Sequence, residues 1–168
     1  MTLPAWCVSV LVVIAAPSAF ASPLPRGVTA DRIVIDKSER TLTVWWHGVP
    51  IKVYRVALGG DPVAPKRSQG DGRTPEGNYV VALRRETSDF HRALQLSYPN
   101  ADDRARARAE RVSPGGSIEI HGLRDGFEWV GSAHTLFDWT NGCVAVTNAE
   151  IEELWRAAPV GTPVEIGP

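Results

Sequence analysis

Cys143 and His121 are the two residues of this chain whose types and spacing point most directly to covalent chemistry. The chain has two cysteines, and Cys7 lies in an N-terminal segment that reads as a removable export signal. Cys143 would then be the lone thiol of an exported chain, in a compartment that favours disulfides. Such a thiol either sits buried as a small apolar residue or does chemistry. A cysteine nucleophile needs a base to take its proton and backbone donors for the charge that develops on the attacked carbonyl. His121 ends an alternating run 22 residues upstream and is the natural base. Gly142 allows a tight turn just before the cysteine, so that the amides of Gly142 and Cys143 could face one oxyanion. Plainer readings stand beside these: an inert core thiol, and a histidine that caps a turn.

Other side chains fall near this pair in sequence. His134 lies between them, either entering the site or serving as an ordinary loop residue. Asp138 could accept a hydrogen bond beside the nucleophile or only brace its loop, and Thr140 is a candidate substrate contact. Arg73 and Arg124 carry the planar guanidinium that suits carboxylates, against the reading of plain surface arginines. The four histidines, at 47, 91, 121 and 134, show no helical ligand spacing with a third ligand, which argues against a zinc peptidase. Lys66, Arg67 and the arginines at 104, 106 and 108 could rim an anionic polymer. Asp102, Asp103 and Glu110 offset the second group, which favours a solvated helix face.

These residues need a scaffold, and the hydrophobic pattern supplies a mainly β one. Arg32 to Asp36 alternates as a strand, Thr41 to Trp46 is a β-branched and aromatic run, and His47-Gly48 turns the chain into a strand over Val49 to Leu58. Trp45, Trp46 and Tyr54 read as sheet packing. Gly59 to Gly77 is too rich in Gly, Pro and charge for regular structure and reads as a long functional loop or paired turns. A strand follows over Asn78 to Leu83, then a surface helix over Ala101 to Arg111 with no amphipathic repeat. Ser117 to His121 alternates again. Thr147 and Glu150 form a capping box, after which Ile151, Leu154, Trp155 and Ala158 mark the buried face of a helix. Val164 to Ile166 is the last strand.

The bulk numbers limit the function classes. The 168 residues, 43% hydrophobic and 22% charged, suit one domain with a real core. A net charge of -1 gives no electrostatic case for a nucleic-acid partner. Ala5 to Ala16 is an apolar run without charge, followed by Ala19-Phe20-Ala21, a small-residue cleavage pattern. Residues 1–21 are therefore expected to be a signal peptide, 22–30 a short leader and 31–167 the domain. No later stretch is long and apolar enough to span a bilayer.

The arrangement resembles the L,D-transpeptidases, the YkuD-type catalytic domain, whose signature is a His and, after a gap, Ser/Thr-His-Gly-Cys. His121-Gly122 matches its first part and Thr140-Asn141-Gly142-Cys143 its second. Gly70-Asp71-Gly72-Arg73-Thr74-Pro75-Glu76-Gly77 is similar to the family's Thr-Pro-x-Gly element. Asn141 replaces the usual His and Ala145 a common Arg, as in a divergent branch with Asp-Trp-Thr-x-Gly-Cys. The resemblance implies mixed β-sheets or a sandwich with one or two packed helices. It further implies that Cys143 attacks a peptidoglycan tetrapeptide stem and His121 acts as base, its second ring nitrogen held by the carbonyl of Gly122. Amides around Asn141, Gly142 and Cys143 would hold the oxyanion. No metal or organic cofactor is required. An exported, periplasmic location follows, with stem peptides and a wall-attached lipoprotein as candidate partners. The acyl group would pass to an amine or to water, and a non-catalytic wall-binding module is the reading from another class.

Overall fold

The computed structural model describes residues 22–168, so the expected signal over 1–21 lies outside the described residues. Alternating burial drives the first strands. β1 (Arg32–Asp36) buries Ile33 and Ile35, and β2 (Thr41–Trp46) buries Leu42 and Val44. β3 (Val49–Arg55) completes an antiparallel meander. It ends three residues earlier than its apolar pattern suggests, because Ala57 leaves the meander to bridge a distant strand. β4 (Gly77–Ser88) is twice as long as expected, and β5 (His91–Leu96) is a strand that the sequence pattern did not suggest. Then follow α1 (Ala101–Glu110), β6 (Glu119–His121), β7 (Val144–Ala145), α2 (Asn148–Ala157) and β8 (Pro163–Gly167).

The strands form one eight-stranded order, β3-β2-β1-β8-β4-β5-β6-β7, mixing parallel and antiparallel pairs. β4 joins its halves: Gly77 to Val80 pair with β8, and Val81 to Ser88 pair with β5, with register shifts between Val81 and Leu83 and between Arg85 and Ser88. The two ends of this order also meet. Ala57, just beyond β3, exchanges both backbone hydrogen bonds with Ala145 of β7, at 3.0 and 2.8 Å. Inside lies a core that includes Ile33, Leu42, Leu58, Leu94, Ile120 and Val144, all shielded from solvent. Each such side chain contributes about 1.5–3 kcal/mol by leaving water.

α2 covers this core with Ile151, Leu154, Trp155 and Ala157 buried. Its capping box is present: Thr147 Oγ1 accepts from the Glu150 amide, and the Glu150 carboxylate accepts from the Thr147 amide. α1 is the mostly polar helix its sequence suggested, burying only Asp103 and Ala107. Asp103 is tolerated inside because Tyr79 and Arg106 donate to it. Among the described residues no helix is long and apolar enough to cross a membrane.

The stretch from Gly59 to Thr74 has no regular structure and is organised around Asp71. Its carboxylate accepts from the buried Lys66 ammonium at 2.8 Å and from the amides of Arg67, Ser68 and Arg73. Thr74 Oγ1 accepts from the Gly59 amide at 3.0 Å, which folds the stretch back on itself behind the loop that carries Cys143.

Candidate active site

Parallel pairing of β6 with β7 sets the central geometry. Ile120 pairs with Val144 and His121 with Ala145, so continuing the register places Glu119 beside Cys143. Side chains alternate across a strand, so Glu119, His121 and Cys143 share the face opposite the core-facing Ile120 and Val144. His121 and Cys143 are thereby diagonal neighbours, and both line one cavity of about 680 Å³.

Gly142 makes the turn before Cys143 possible. Its φ of +122° suits glycine alone, and a Cβ there would stand 2.5 Å from the carbonyl oxygen of Arg73. Thr140 closes the same turn, donating its hydroxyl to the Cys143 carbonyl at 2.7 Å and accepting the Gly142 amide at 3.1 Å. That contact corrects one expectation: the Gly142 amide is already engaged and does not face the cavity as an oxyanion donor. The amides of Asn141 and Cys143 have no acceptor among the described residues.

His121 is only 2% exposed. Its Nδ1 donates to the Gly122 carbonyl at 2.7 Å, because a carbonyl can only accept. The lone pair therefore sits on Nε2, which has no hydrogen-bond partner among the described residues. Burial lowers the imidazole pKa to about 4; the bond to Gly122 opposes this, and nearby His134 adds to it. Gly122 packs tightly against the start of α2, where a Cβ would meet Asn148 Oδ1 at 2.6 Å.

Burial likewise pushes the Cys143 thiol up to about 11, with the Glu119 carboxylate adding to the rise and the Glu119 backbone and Lys66 opposing it. The S–H points at the Ser117 carbonyl at 3.6 Å. Burial thus favours the neutral form of both thiol and imidazole, and the thiol proton is directed at Ser117. Glu119 was not singled out from the sequence, although period two on Ser117 to His121 put it on the face of His121. Its own pKa is raised by burial, and Arg85 pairs with it at 2.9 Å.

The remaining candidates separate. Asp138 is a brace: one oxygen accepts from the Leu58 amide at 2.9 Å, and the other pairs with Arg40 at 3.0 Å. Arg73 pairs with Asp61 at 2.8 Å and is absent from the cavity wall, so its contribution is the carbonyl behind Gly142. Arg124, His134, Thr140 and Asn141 do line the cavity. Aromatic walls that the sequence left unassigned complete it. Phe90 lies 4.4 Å from His121 between ring centroids, and Trp139 stands edge-on to both His121 and His134.

A mainly β sheet that sets a thiol and a histidine on one face of paired strands accords with the resemblance read from the motifs. Residues 30–166 match the family model of the L,D-transpeptidase catalytic domain (YkuD), and the chain belongs to that family. It is 30% identical over 131 residues to YafK of Escherichia coli (strain K12), a protein assigned to the L,D-transpeptidases, covering 74% of this chain and 45% of YafK. The chain thus spans about half the length of the curated relatives it matches. In fold it is similar to an L,D-transpeptidase of Xylanimonas cellulosilytica, with a TM-score of 0.52 at 20% identity over 87% of this chain and 64% of that one. It is also similar to the helical cell shape determining protein Pgp2 of Campylobacter jejuni, with a TM-score of 0.60 at 21% identity over 80% and 46%.

Proposed function

We propose that this protein is a cysteine-dependent L,D-transpeptidase that acts on peptidoglycan tetrapeptide stems through a thioester at Cys143. The observation that carries the reading is the shared cavity of Cys143 and His121, in which the tautomer fixed by Gly122 leaves Nε2 free as a base. The thiol gives its proton to Nε2 as sulfur attacks the carbonyl of the third stem residue. The amides of Asn141 and Cys143 hold the oxyanion; one such donor is worth about 10²–10³ in rate. The intermediate collapses to the thioester as the C–N bond breaks, and His121 returns the proton to the departing D-alanine amine. An acceptor amine, or water, then attacks the thioester, with His121 taking its proton and giving it back to the thiolate.

The periplasm is the proposed compartment for this work, on the strength of the export signal expected over residues 1–21. Incubation of the protein with defined tetrapeptide muropeptides, followed by separation of the products, tests the proposal. Cross-linked dimers with release of D-alanine support it. Tripeptides alone make it a hydrolase of the same chemistry, and release of a wall-attached lipoprotein makes that protein the partner. Unchanged muropeptides that remain bound make it a wall-binding module.

A further inference from the structure

His134 has no role in the chemistry above, and its surroundings are unusual. It is 5% exposed, and both ring nitrogens are sealed from solvent with no hydrogen-bond partner among the described residues. A buried polar group left unsatisfied costs roughly 1–3 kcal/mol, and a phenylalanine of similar shape would avoid that cost. Its ring nevertheless forms part of the wall of the cavity that holds Cys143. Most of that wall is apolar, including Phe90, Leu123, Phe127, Val130 and Leu136.

The charged exception is Arg124. Its exposed side chain has no ion pair or hydrogen bond among the described residues, whereas Arg40, Arg73 and Arg85 each hold a carboxylate. An apolar cavity with one unpaired guanidinium and one unpaired imidazole matches a ligand with an apolar body and a compact anionic end.

We propose that His134 and Arg124 grip the free carboxylate of the peptide's terminal residue, the residue that leaves when Cys143 is acylated. The proposal rests on the catalytic reading of the site for its choice of ligand. Arg124 draws the carboxylate in, and the His134 ring turns about its Cβ–Cγ bond to donate one N–H. Binding then satisfies a group that the free protein leaves unsatisfied, which is how a buried polar site rejects analogues lacking the matching group.

Calorimetric titration of the Cys143→Ala chain separates this from turnover. The probes are the stem tetrapeptide with a free C-terminal carboxylate and the same peptide ending in an amide. The acid is expected to bind at least about tenfold more tightly than the amide. His134→Phe and Arg124→Gln, each in the Cys143→Ala background, are expected to shrink that preference to less than about threefold. His134→Phe should also melt no lower than its parent, because it removes an unsatisfied group. Equal affinity for acid and amide, no binding of the acid, or a preference that survives both substitutions would overturn the proposal. So would a lower melting temperature for His134→Phe, since the imidazole would then be structural. Acid-selective binding by a protein whose wild type releases no D-alanine would refute the catalytic reading and leave this pocket standing.

Discussion

Alkylation of Cys143 by iodoacetamide should be slow at neutral pH and climb about tenfold per pH unit toward pH 10. Burial holds the thiol at about 11 and His121 at about 4, so the two groups lie about seven apart on the pH scale. Moving the proton from sulfur to imidazole at rest is then uphill, because each group is held in its neutral form by burial. At pH 7 the thiolate is about 10⁻⁴ of the population, four units below its pKa. Cysteines pre-ionised by a cationic partner have values of roughly 3.5–7.5 and alkylate at a plateau rate at neutral pH. Second-order rate constants from intact-protein mass spectrometry between pH 6 and 10 separate the two cases. A rate independent of pH between 7 and 9 would refute the reasoning and make the resting site an ion pair. A steep rise would mean that the thiol is protonated at rest and that its proton leaves during attack and not before it.

Other consequences concern the frame around the pair. The unfolded chain protonates His121 near 6.5 and the folded chain only near 4. Stability present above pH 6.5 is therefore lost as pH falls toward 4, by about 3 kcal/mol. Urea denaturation across that range should show this slope in the wild type and a flatter one in His121→Phe. Gly142→Ala should cost about 1–3 kcal/mol or more from its positive φ and the Arg73 carbonyl, with a lower melting temperature and no D-alanine release. An unchanged melting curve would show that the turn can relax. Asp138→Ala strands the Leu58 amide and frees Arg40, so a destabilisation of about 1–3 kcal/mol is expected in urea denaturation. A loss below about 0.5 kcal/mol would mean that water replaces the carboxylate.

The elements with clean periodicity were legible in the sequence. β1 and β2 alternate because one face meets the core, and α2 declares itself through Thr147, Glu150 and the spacing of Ile151, Leu154 and Trp155. β5 was not legible, since His91–Leu96 buries two adjacent residues, Ala93 and Leu94, and breaks the alternation. The polar half of β4 was missed for a related reason: Arg84 to Ser88, half-buried at the ends and exposed between, are held by pairing with β5 and bury no apolar side chain. Cys143 and His121 stood out by residue type, but their register did not, because the parallel pairing of β6 with β7 is a long-range property. The same limit hid Glu119 beside the thiol. It also hid the engagement of the Gly142 amide, which depends on where one Thr140 hydroxyl points. The sealed nitrogens of His134 follow from packing that no local pattern records.

Rapid acid quench of the full chain mixed with stem tetrapeptide, followed by intact-protein and peptide-level mass spectrometry, tests the thioester at Cys143 most directly. The expected adduct is the tripeptidyl acyl group on Cys143, released by hydroxylamine and formed in step with free D-alanine. Cys143→Ala should melt as a folded protein yet form no adduct and release no D-alanine. An adduct on any other residue, or D-alanine release that persists in Cys143→Ala, would contradict the account.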